Sequence, residues 1–155
     1  MALTTCMVNS AKGDFLAGRN AAADTYKMAL VKSGHAGTYD TLVTAAGTPG
    51  TGAPSTSNLG TDEVAASGSY SAGGFTMAGY TAGATTSTSW IDWTTDPSFT
   101  TATISAVGCM LYNDTDAGKP VLSLHDFGGT ITSTAGTFTI TLPAAAAATA
   151  LIRIA

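Results

Sequence analysis

The sequence predicts a mainly β protein with one domain and a short helix near its N-terminus. Segments rich in apolar and β-branched residues recur along the chain, and residues 102–112 and 137–142 are the clearest of them. Asn, Asp, Gly and Pro separate these segments, and such residues favour turns. The length of 155 residues suits a single domain, which buries roughly two-thirds of the surface that its unfolded chain exposes.

The N-terminal region predicts a helix followed by a strand. Asn9 and Ser10 are residue types that favour the N-cap, and a short helix is predicted to run from there to Asn20. Residues 24–31 then predict a strand with inward-facing side chains at Tyr26, Met28 and Leu30. Residues 39–44 predict a second short strand.

Residues 45–60 form a long stretch of Gly, Pro, Ser, Thr and Ala without a charged side chain. Burial of such a segment would leave many backbone groups unpaired, so we expect it on the surface. Long loops in small domains are often functional or disordered. Two interpretations therefore remain open: a flexible arm that becomes ordered against a partner, or a plain surface loop.

The segments between this loop and the centre of the sheet have weaker patterns. Residues 61–67 predict a brief helical turn, and residues 75–80 predict a kinked strand among glycines. Residues 86–93 predict a strand that carries both tryptophans. Because side chains alternate across a strand, Trp90 and Trp93 should lie on opposite faces, which argues against a flat platform of two tryptophans for a sugar.

The strand over residues 102–112 is predicted to lie at the centre of the sheet. Its two faces are both apolar, which is typical of a strand that is covered on each side. One face is predicted to carry Ile104, Ala106, Gly108, Met110 and Tyr112. The other face is predicted to carry Val107, Cys109 and Leu111.

Three further strands follow a turn at residues 113–118. The first covers residues 119–127. The second covers residues 137–142 and is half-buried, because Phe138, Ile140 and Leu142 alternate with three threonines. The alanine-rich residues 143–148 are predicted to form a loop. The last strand, over residues 148–154, should end the chain inside its sheet, with Ile152 and Ile154 facing inward and Arg153 outward.

The charge of the chain limits its partners. Charged residues make up 10% of the sequence, far below the roughly 25% of a typical soluble domain. The formal net charge is −4 with a pI near 4.7, so we expect neither nucleic acid nor a membrane as a direct partner. The first residues lack the pattern of a secretory signal, so we expect none. Cys6 and Cys109 are expected to be reduced and buried.

The sequence offers little that predicts catalysis. His125 and Asp126 are adjacent and His35 lies in a turn, but no serine stands in a nucleophile elbow. The cysteines and histidines lack zinc-ligand spacing, and the acidic turn at residues 113–116 lacks the pattern of a calcium loop. We therefore expect no enzymatic activity, no cofactor and no metal site.

Several segments resemble, in order, a family of small virion structural proteins of tailed bacteriophages. They are DTYKMAL, GSYSAGG, TISAVGCMLYN, DFGG and GTFTITLP, followed by the ending LIRIA. The resemblance implies a single-domain antiparallel β-sandwich that is jelly-roll-like. It also implies a decoration (cement) protein on the capsid exterior that binds the major capsid protein as a homo-oligomer, with a trimer favoured. No family active site exists to carry over.

A cement protein binds across the joints of a shell, so exposed segments near the N-terminus and in the long loop are the candidate contacts. The residues proposed to bind the partner are Lys12, Phe15, Arg19, Thr48, Pro49, Pro54 and Asn58. The alternative is a tail or head-fibre component that binds host glycans through Trp93, Tyr70 or Tyr80. An ice-binding surface, suggested by the T-x-T pattern at residues 137–141, and a hydrolase that uses His125 are further hypotheses.

Overall fold

The chain folds as a mainly antiparallel β-sandwich in a computed structural model that describes residues 2–155. Strands account for 44% of the residues and helix for 7%, which confirms the predicted fold class. A sheet of five strands packs against a sheet of three. The jelly-roll-like connectivity stays a prediction, because this strand order does not establish it.

Within residues 2–155, eight strands and one α-helix make up the sandwich. In chain order they are β1 (Cys6–Met7), α1 (Asn9–Leu16), β2 (Tyr26–Lys32), β3 (Phe75–Thr76), β4 (Tyr80–Ala84), β5 (Ser89–Trp93), β6 (Ser98–Asn113), β7 (Val121–Thr139) and β8 (Ile152–Ile154). A single 3-10 turn, Gly60–Asp62, lies where the sequence predicted a brief helical turn. The larger sheet has the order β1-β7-β6-β2-β3 and the smaller one β4-β5-β8.

The central position of β6 is confirmed, but its predicted faces are only half right. β6 lies between β7 and β2, and nearly all its residues from Ala106 to Asn113 are buried. The register between β6 and β7 shifts between Ala106 and Gly108. A bulge of this kind reverses the alternation of side chains. Ile104 therefore faces the same core as Cys109 and Leu111, rather than sharing a face with Met110 and Tyr112.

The two strands predicted at residues 119–127 and 137–142 belong to one long strand, β7, which ends at Thr139. Between them Asp126 pairs with Gly108 and Ile131 pairs with Ala106, so four residues of β7 lie opposite a single residue of β6. These extra residues of β7 form a large bulge, in which Gly128 has a φ of 77°. The glycines at this point bend the strand instead of ending it.

The larger sheet is covered on both faces, which gives the molecule two hydrophobic cores. The first core lies between the sheets, where Met28 and Leu30 of β2 meet Trp93 of β5 and Ile152 of β8. The second core lies on the opposite face of the same sheet. Irregular segments and α1 cover it through Val8, Ala11, Tyr39, Val43, Ala46 and Leu59. This layer explains why β2 and β6 are apolar on both faces.

The helix and the segment after β2 differ from their predictions. The N-cap of α1 is Val8, one residue earlier than predicted, because the Val8 N–H donates to Leu122 O of β7 at 3.2 Å and fixes the chain there. The helix ends at Leu16 rather than near Asn20. Residues 39–44 form turns with isolated bridges and no strand, since Tyr39 bridges to Leu3 and points into the second core.

The C-terminal strand is shorter than predicted and forms one edge of the smaller sheet. Ile152 is 3% exposed and Arg153 faces outward, as expected. Ile154 was predicted to face inward, but its side chain is 48% exposed. It pairs with Ser89, the first residue of β5, which is itself exposed. The loop predicted over residues 143–148 is present and extends to residue 151, although the last strand was expected to begin at residue 148.

Candidate interaction surface

The predicted partner residues of the N-terminal region all lie on or just after α1. Lys12 is exposed and its Nζ donates to Asn9 Oδ1 at 3.3 Å. Arg19 lies 3.6 Å from Asp14 and keeps most of its guanidinium in solvent. Phe15 is half-buried and packs against both cores. Lys12, Phe15 and Arg19 are therefore all at least partly accessible to a partner on one short segment.

Neither the most exposed apolar residue of this region nor the groove beside Phe15 was predicted from the sequence. Leu16 follows Phe15 and is 92% exposed. Phe15 also lines an apolar groove of about 300 Å³ together with Ala82, Gly83, Ser89, Trp90, Ile91, Ile152 and Ile154. A Cβ on Gly83 would lie only 2.5 Å from Trp90 Cζ2, so the indole rests directly on the bare backbone of β4. We call Phe15, Leu16, Trp90 and Ile154 the α1 surface.

The residues predicted in the long loop have different roles. Thr48 is exposed, and Pro49 and Pro54 are half-buried. Asn58 organises the loop: its Oδ1 accepts hydrogen bonds from Thr48 N at 2.8 Å and Gly60 N at 3.2 Å. Its Nδ2 donates to the carbonyl oxygens of Thr51 and Ala53, both at 3.2 Å. Asn58 therefore closes the loop on itself, a role that sequence spacing did not reveal.

The ends of residues 45–60 belong to the second core. Ala46 and Leu59 are both fully buried there, and the Leu59 N–H donates to Ala46 O at 2.9 Å. Deleting the whole segment would therefore remove core side chains as well as surface. Substitution of an exposed residue such as Thr48 is the cleaner way to alter the surface of this loop.

The aromatic residues proposed for glycan binding lie mainly inside the sandwich. Trp93 is 2% exposed and Tyr70 is 1% exposed. Tyr80 is half-buried, with its ring centroid 5.6 Å from that of Trp93 and 6.0 Å from that of Tyr26. The proposal of a sugar platform on Trp93 or Tyr70 is wrong, because both side chains form part of the core. Trp90 is the tryptophan that lines an open groove.

Two neighbouring carboxylates, Asp62 and Glu63, are buried and tie irregular segments together. Asp62 accepts hydrogen bonds from the N–H groups of Ala36 and Gly37 and from the hydroxyl of Tyr39. Burial alone would raise the pKa of Asp62, but these bonds and the ammonium of Lys32 outweigh it and lower the pKa. This carboxylate is therefore charged and structural.

The hydrogen-bond environment of Glu63 differs from that of Asp62. Its Oε1 accepts hydrogen bonds from the Tyr70 hydroxyl and the Gly73 N–H, both at 2.7 Å. Among the residues that the structure describes, its Oε2 has no hydrogen-bond partner. Burial raises the pKa of Glu63, and the bonds from Tyr70 and Gly73 only partly oppose this. Nothing in the sequence pattern around Glu63 predicts that this acid is buried.

The adjacent side chains of His125 and Asp126 have different hydrogen-bond partners. His125 Nε2 lies 2.9 Å from Ser123 Oγ, two residues back on the same face of β7. Asp126 is exposed, and its Oδ1 accepts a hydrogen bond from Gly128 N at 2.8 Å. Ser123 is 2% exposed, so its hydroxyl is packed rather than presented to solvent. The structure thus pairs the histidine with a buried serine that sequence reasoning had not singled out.

His125 should make the fold sensitive to mild acid. Burial lowers the pKa of His125 from 6.5 to about 4. Between these pH values the histidine therefore binds a proton in the unfolded chain but not in the folded chain. Among the residues that line the adjoining cavity, Arg153 is positively charged, and the thiol of Cys6 stays neutral because burial raises its pKa. The free energy of unfolding should therefore fall by about 1–3 kcal/mol between pH 6.5 and pH 4.

Urea denaturation at several pH values measures this loss. The comparison variant is His125→Gln, which keeps a polar side chain beside Ser123 but does not titrate. The part of the acid loss that is due to His125 should disappear in this variant. Identical pH profiles for the two proteins would contradict the prediction.

The cysteines and the acidic turn are involved in packing and ion pairs. Cys6 and Cys109 are both free thiols, and burial raises the pKa of Cys109 to about 12. Cys109 is buried as expected, whereas Cys6 is only partly buried. In the acidic turn, Asp114 forms ion pairs with Lys27 at 3.0 Å and with Lys119. Across residues 2–155, no three His, Cys, Asp or Glu side chains are grouped to hold a metal ion.

Comparisons with known proteins add no relative. No family model matches the sequence, and neither the curated proteins nor the solved structures contain a match. Within the described part of the chain, no helix is both long and apolar enough to cross a membrane. The function must therefore be argued from the surface and the buried groups of this chain.

Proposed function

We propose that this chain is a structural protein of a phage virion. In this role it is a capsid decoration protein that binds the outside of the shell across joints between copies of the major capsid protein. It acts there as a homo-oligomer, with the trimer favoured by the family resemblance. Binding to the assembled shell, and not to its separated subunits, stabilises the shell by mass action.

The observation that carries the proposal is a long uncharged surface. Residues 127–152 contain no charged side chain, and most of them are exposed. On the distal half of β7, Thr130, Thr132, Thr134, Thr137 and Thr139 are all exposed. Hydroxyl and small apolar side chains lose little when another protein surface covers them, whereas an unpaired buried charge costs several kcal/mol, on the order of 3–5. Such a surface suits contact with neighbouring proteins.

The distribution of charge supports an exterior position. Several of the charged and polar side chains are used inside the molecule, since Asp62, Glu63, Asp92 and Asn113 are all at most 4% exposed. The net charge of −4 would be repelled by the phosphates of packaged DNA. A protein that lines the inside of the shell would need clustered basic residues, so the outer face of the capsid fits this chain better.

The alternative is a tail or head-fibre component that binds host glycans. Two of the three aromatic residues proposed for glycan binding, Trp93 and Tyr70, are buried in the core. An array of glycans incubated with the purified protein tests it directly. Specific binding that is lost in Trp90→Ala would favour the fibre role over the capsid role.

Purified shells that lack the protein test the capsid role. The full chain is added back, and the bound amount and the melting temperature of the shells are measured. We expect saturable binding at a fixed ratio to the major capsid protein, with a higher melting temperature of the shell. Absence of binding to the shell of the phage that encodes the chain would reject the capsid role.

A further inference from the structure

The two edges of the hairpin formed by β6 and β7 differ in their hydrogen bonding. Residues 67–69 run along the edge of β6. The Thr100 N–H donates there to Ser69 Oγ at 2.8 Å, and the Ser69 N–H donates to Thr100 O at 3.0 Å. The Thr103 N–H donates to Ser67 Oγ at 2.9 Å. At these positions the edge of β6 is therefore satisfied within the molecule.

The opposite edge of the hairpin, along β7, is open over residues 129–134. β1 pairs with β7 only at Ser123 and Leu124. The chain before β1 then turns away from β7, where the Thr4 N–H donates to Tyr39 O at 2.9 Å. Within the described part of the chain, no backbone–backbone hydrogen bond joins residues 129–134 to any segment other than β6. We call residues 129–134 the open edge.

The hydrogen bonds of β6 show which backbone groups of β7 face the open edge. Thr132 lies opposite Ser105. Ser105 O accepts the N–H of Ser33 at 3.0 Å, and Ser33 follows β2 on the far side of β6. In an antiparallel pair, two residues directly opposite each other either exchange both hydrogen bonds or make neither. Thr132 therefore directs its N–H and C=O away from β6, and by alternation so do Thr130 and Thr134.

An apolar groove of about 350 Å³ lies beside the open edge. Ile131 lines the groove together with Phe127, Phe138 and Ile140. Ile131 lies opposite Ala106 of the first core, so its side chain is on the face of that core, yet it is 47% exposed. A strand added to the open edge would direct every second side chain to this face. The groove therefore suits an apolar side chain of an added strand.

The charges near the open edge limit which strand fits. Residues 127–152 carry no charged side chain, and the exposed Asp126 comes just before them. The net charge of −4 disfavours an acidic segment. Proteins that keep a strand edge free often place Lys or Pro on it, and residues 127–142 contain neither. We propose that the open edge binds an extended, non-acidic segment of the major capsid protein, which adds a strand to the larger sheet and inserts an apolar side chain into the groove.

This inference rests on the proposed function for the identity of the partner, and it adds the mode of binding. An added strand is held by main-chain hydrogen bonds, while pockets for alternate side chains give specificity. A contact through the exposed threonine hydroxyls would instead depend on side chains alone. Substitutions of Thr132 that change either the backbone N–H or the hydroxyl separate the two modes.

Binding of variants to shells that lack the protein tests the mode. Thr132→Pro removes one N–H of the open edge but no hydrogen bond to β6, because that N–H faces outward. We expect its affinity for shells to fall at least about tenfold. Thr132→Val is the matched control, since it keeps the N–H and the branched shape and loses only the hydroxyl. It should bind like the wild type, and circular dichroism checks that both variants are folded.

Ile131→Lys tests the groove without changing the backbone, and it decides the matter if Thr132→Pro does not fold. An ammonium group at the wall of the groove should lower the affinity for shells at least about tenfold. Leu42→Lys is the matched control, because Leu42 is also exposed, at 64%, and does not line the groove. This control should bind like the wild type.

Hydrogen exchange of the wild type locates the added strand. In the free chain the Thr132 N–H should exchange rapidly and the Ser133 N–H slowly, because Ser133 pairs with Ile104 of β6. Exchange into chain bound on shells, followed by mass spectrometry, should show new protection in peptides that cover residues 129–134.

The inference is overturned if Thr132→Pro and Ile131→Lys bind shells like the wild type, or if residues 129–134 stay unprotected on shells. Equal weakening by Thr132→Val and Thr132→Pro would also reject it. In these cases the wild type still binds shells, so the proposed function stands. Protection of the open edge that rises with the concentration of the chain alone would assign it to a second copy and reject the inference. A wild type that does not bind shells rejects the proposed function and this inference with it.

Discussion

Replacement of Gly74 by alanine should prevent the chain from folding or cost more than about 4 kcal/mol. Gly74 has a φ of 80°, and its backbone lies against the neighbouring strand β2. A Cβ at this position would lie 2.0 Å from the carbonyl oxygen of Met28 and 2.5 Å from its carbonyl carbon. Both atoms are backbone, so no side-chain rotation relieves the overlap. The cost of the positive φ, about 1–2 kcal/mol, adds to it.

Gly128→Ala provides the matched control, because it has the same type of backbone without the overlap. Gly128 has a φ of 77°, and nothing lies within 4 Å of the position that its Cβ would take. We expect it to cost only the strain of the positive φ, about 1–2 kcal/mol. Soluble yield and urea denaturation of both variants measure the difference. Equal stability of the two variants would show that the close approach of Gly74 to β2 is unimportant.

Replacement of Tyr70 by phenylalanine should destabilise the fold by about 2–4 kcal/mol, although it removes only one oxygen. The Tyr70 hydroxyl donates to Glu63 Oε1 at 2.7 Å and accepts the N–H of Leu30 at 2.9 Å. Phenylalanine keeps the edge-on contact with Phe99, whose ring centroid lies 4.9 Å away. The loss therefore reports on two buried groups. The Leu30 N–H loses the hydroxyl as its acceptor, and Glu63 Oε1 keeps only the Gly73 N–H while its second oxygen is already unpaired.

Tyr80→Phe is the comparison for this prediction, since the Tyr80 ring is half-buried at the rim of the same core. We expect a change within about 0.5 kcal/mol for it. Thermal and urea unfolding of the two variants measure the contrast. A Tyr70→Phe protein as stable as the wild type would mean that water or a protonated Glu63 satisfies the network without the hydroxyl.

Those parts of the fold that depend on alternation could be predicted from the sequence. The pattern of residues 102–112 predicts a buried strand because apolar side chains occupy both of its faces, and residues 24–31 predict a strand with Tyr26, Met28 and Leu30 inward. The bulges could not be predicted, since they depend on how β6 and β7 match in register. As a result, one long strand was divided in two, and the faces of β6 were assigned correctly only on one side of the bulge.

The second core shows why the remaining parts of the fold could not be predicted from the sequence. Tyr39, Val43 and Leu59 are all fully buried, yet they lie in irregular segments with no periodic pattern. Burial in such segments depends on tertiary contacts, which a pattern of neighbours in sequence does not encode. The same reason explains why Asp62 and Glu63 were not recognised as internal groups.

The candidate surface was predicted in part. Lys12, Phe15 and Arg19 were placed correctly on or beside a short helix near the N-terminus. The groove could not be predicted, because it joins Phe15 to Trp90 and Ile154, which are far away in sequence. The exposure of Leu16 could not be predicted either, because the helix was expected to continue to Asn20 and instead ends at Leu16.

Whether this chain lies on a capsid, as we propose, is the most direct test of the proposed function. The measurement is an image reconstruction by electron cryomicroscopy of the phage particle proposed to carry it, with the sandwich fitted into the density. The account predicts density for the chain on the outer face of the shell, over joints between copies of the major capsid protein. Density at the tip of a fibre, inside the shell, or nowhere on the particle would contradict it.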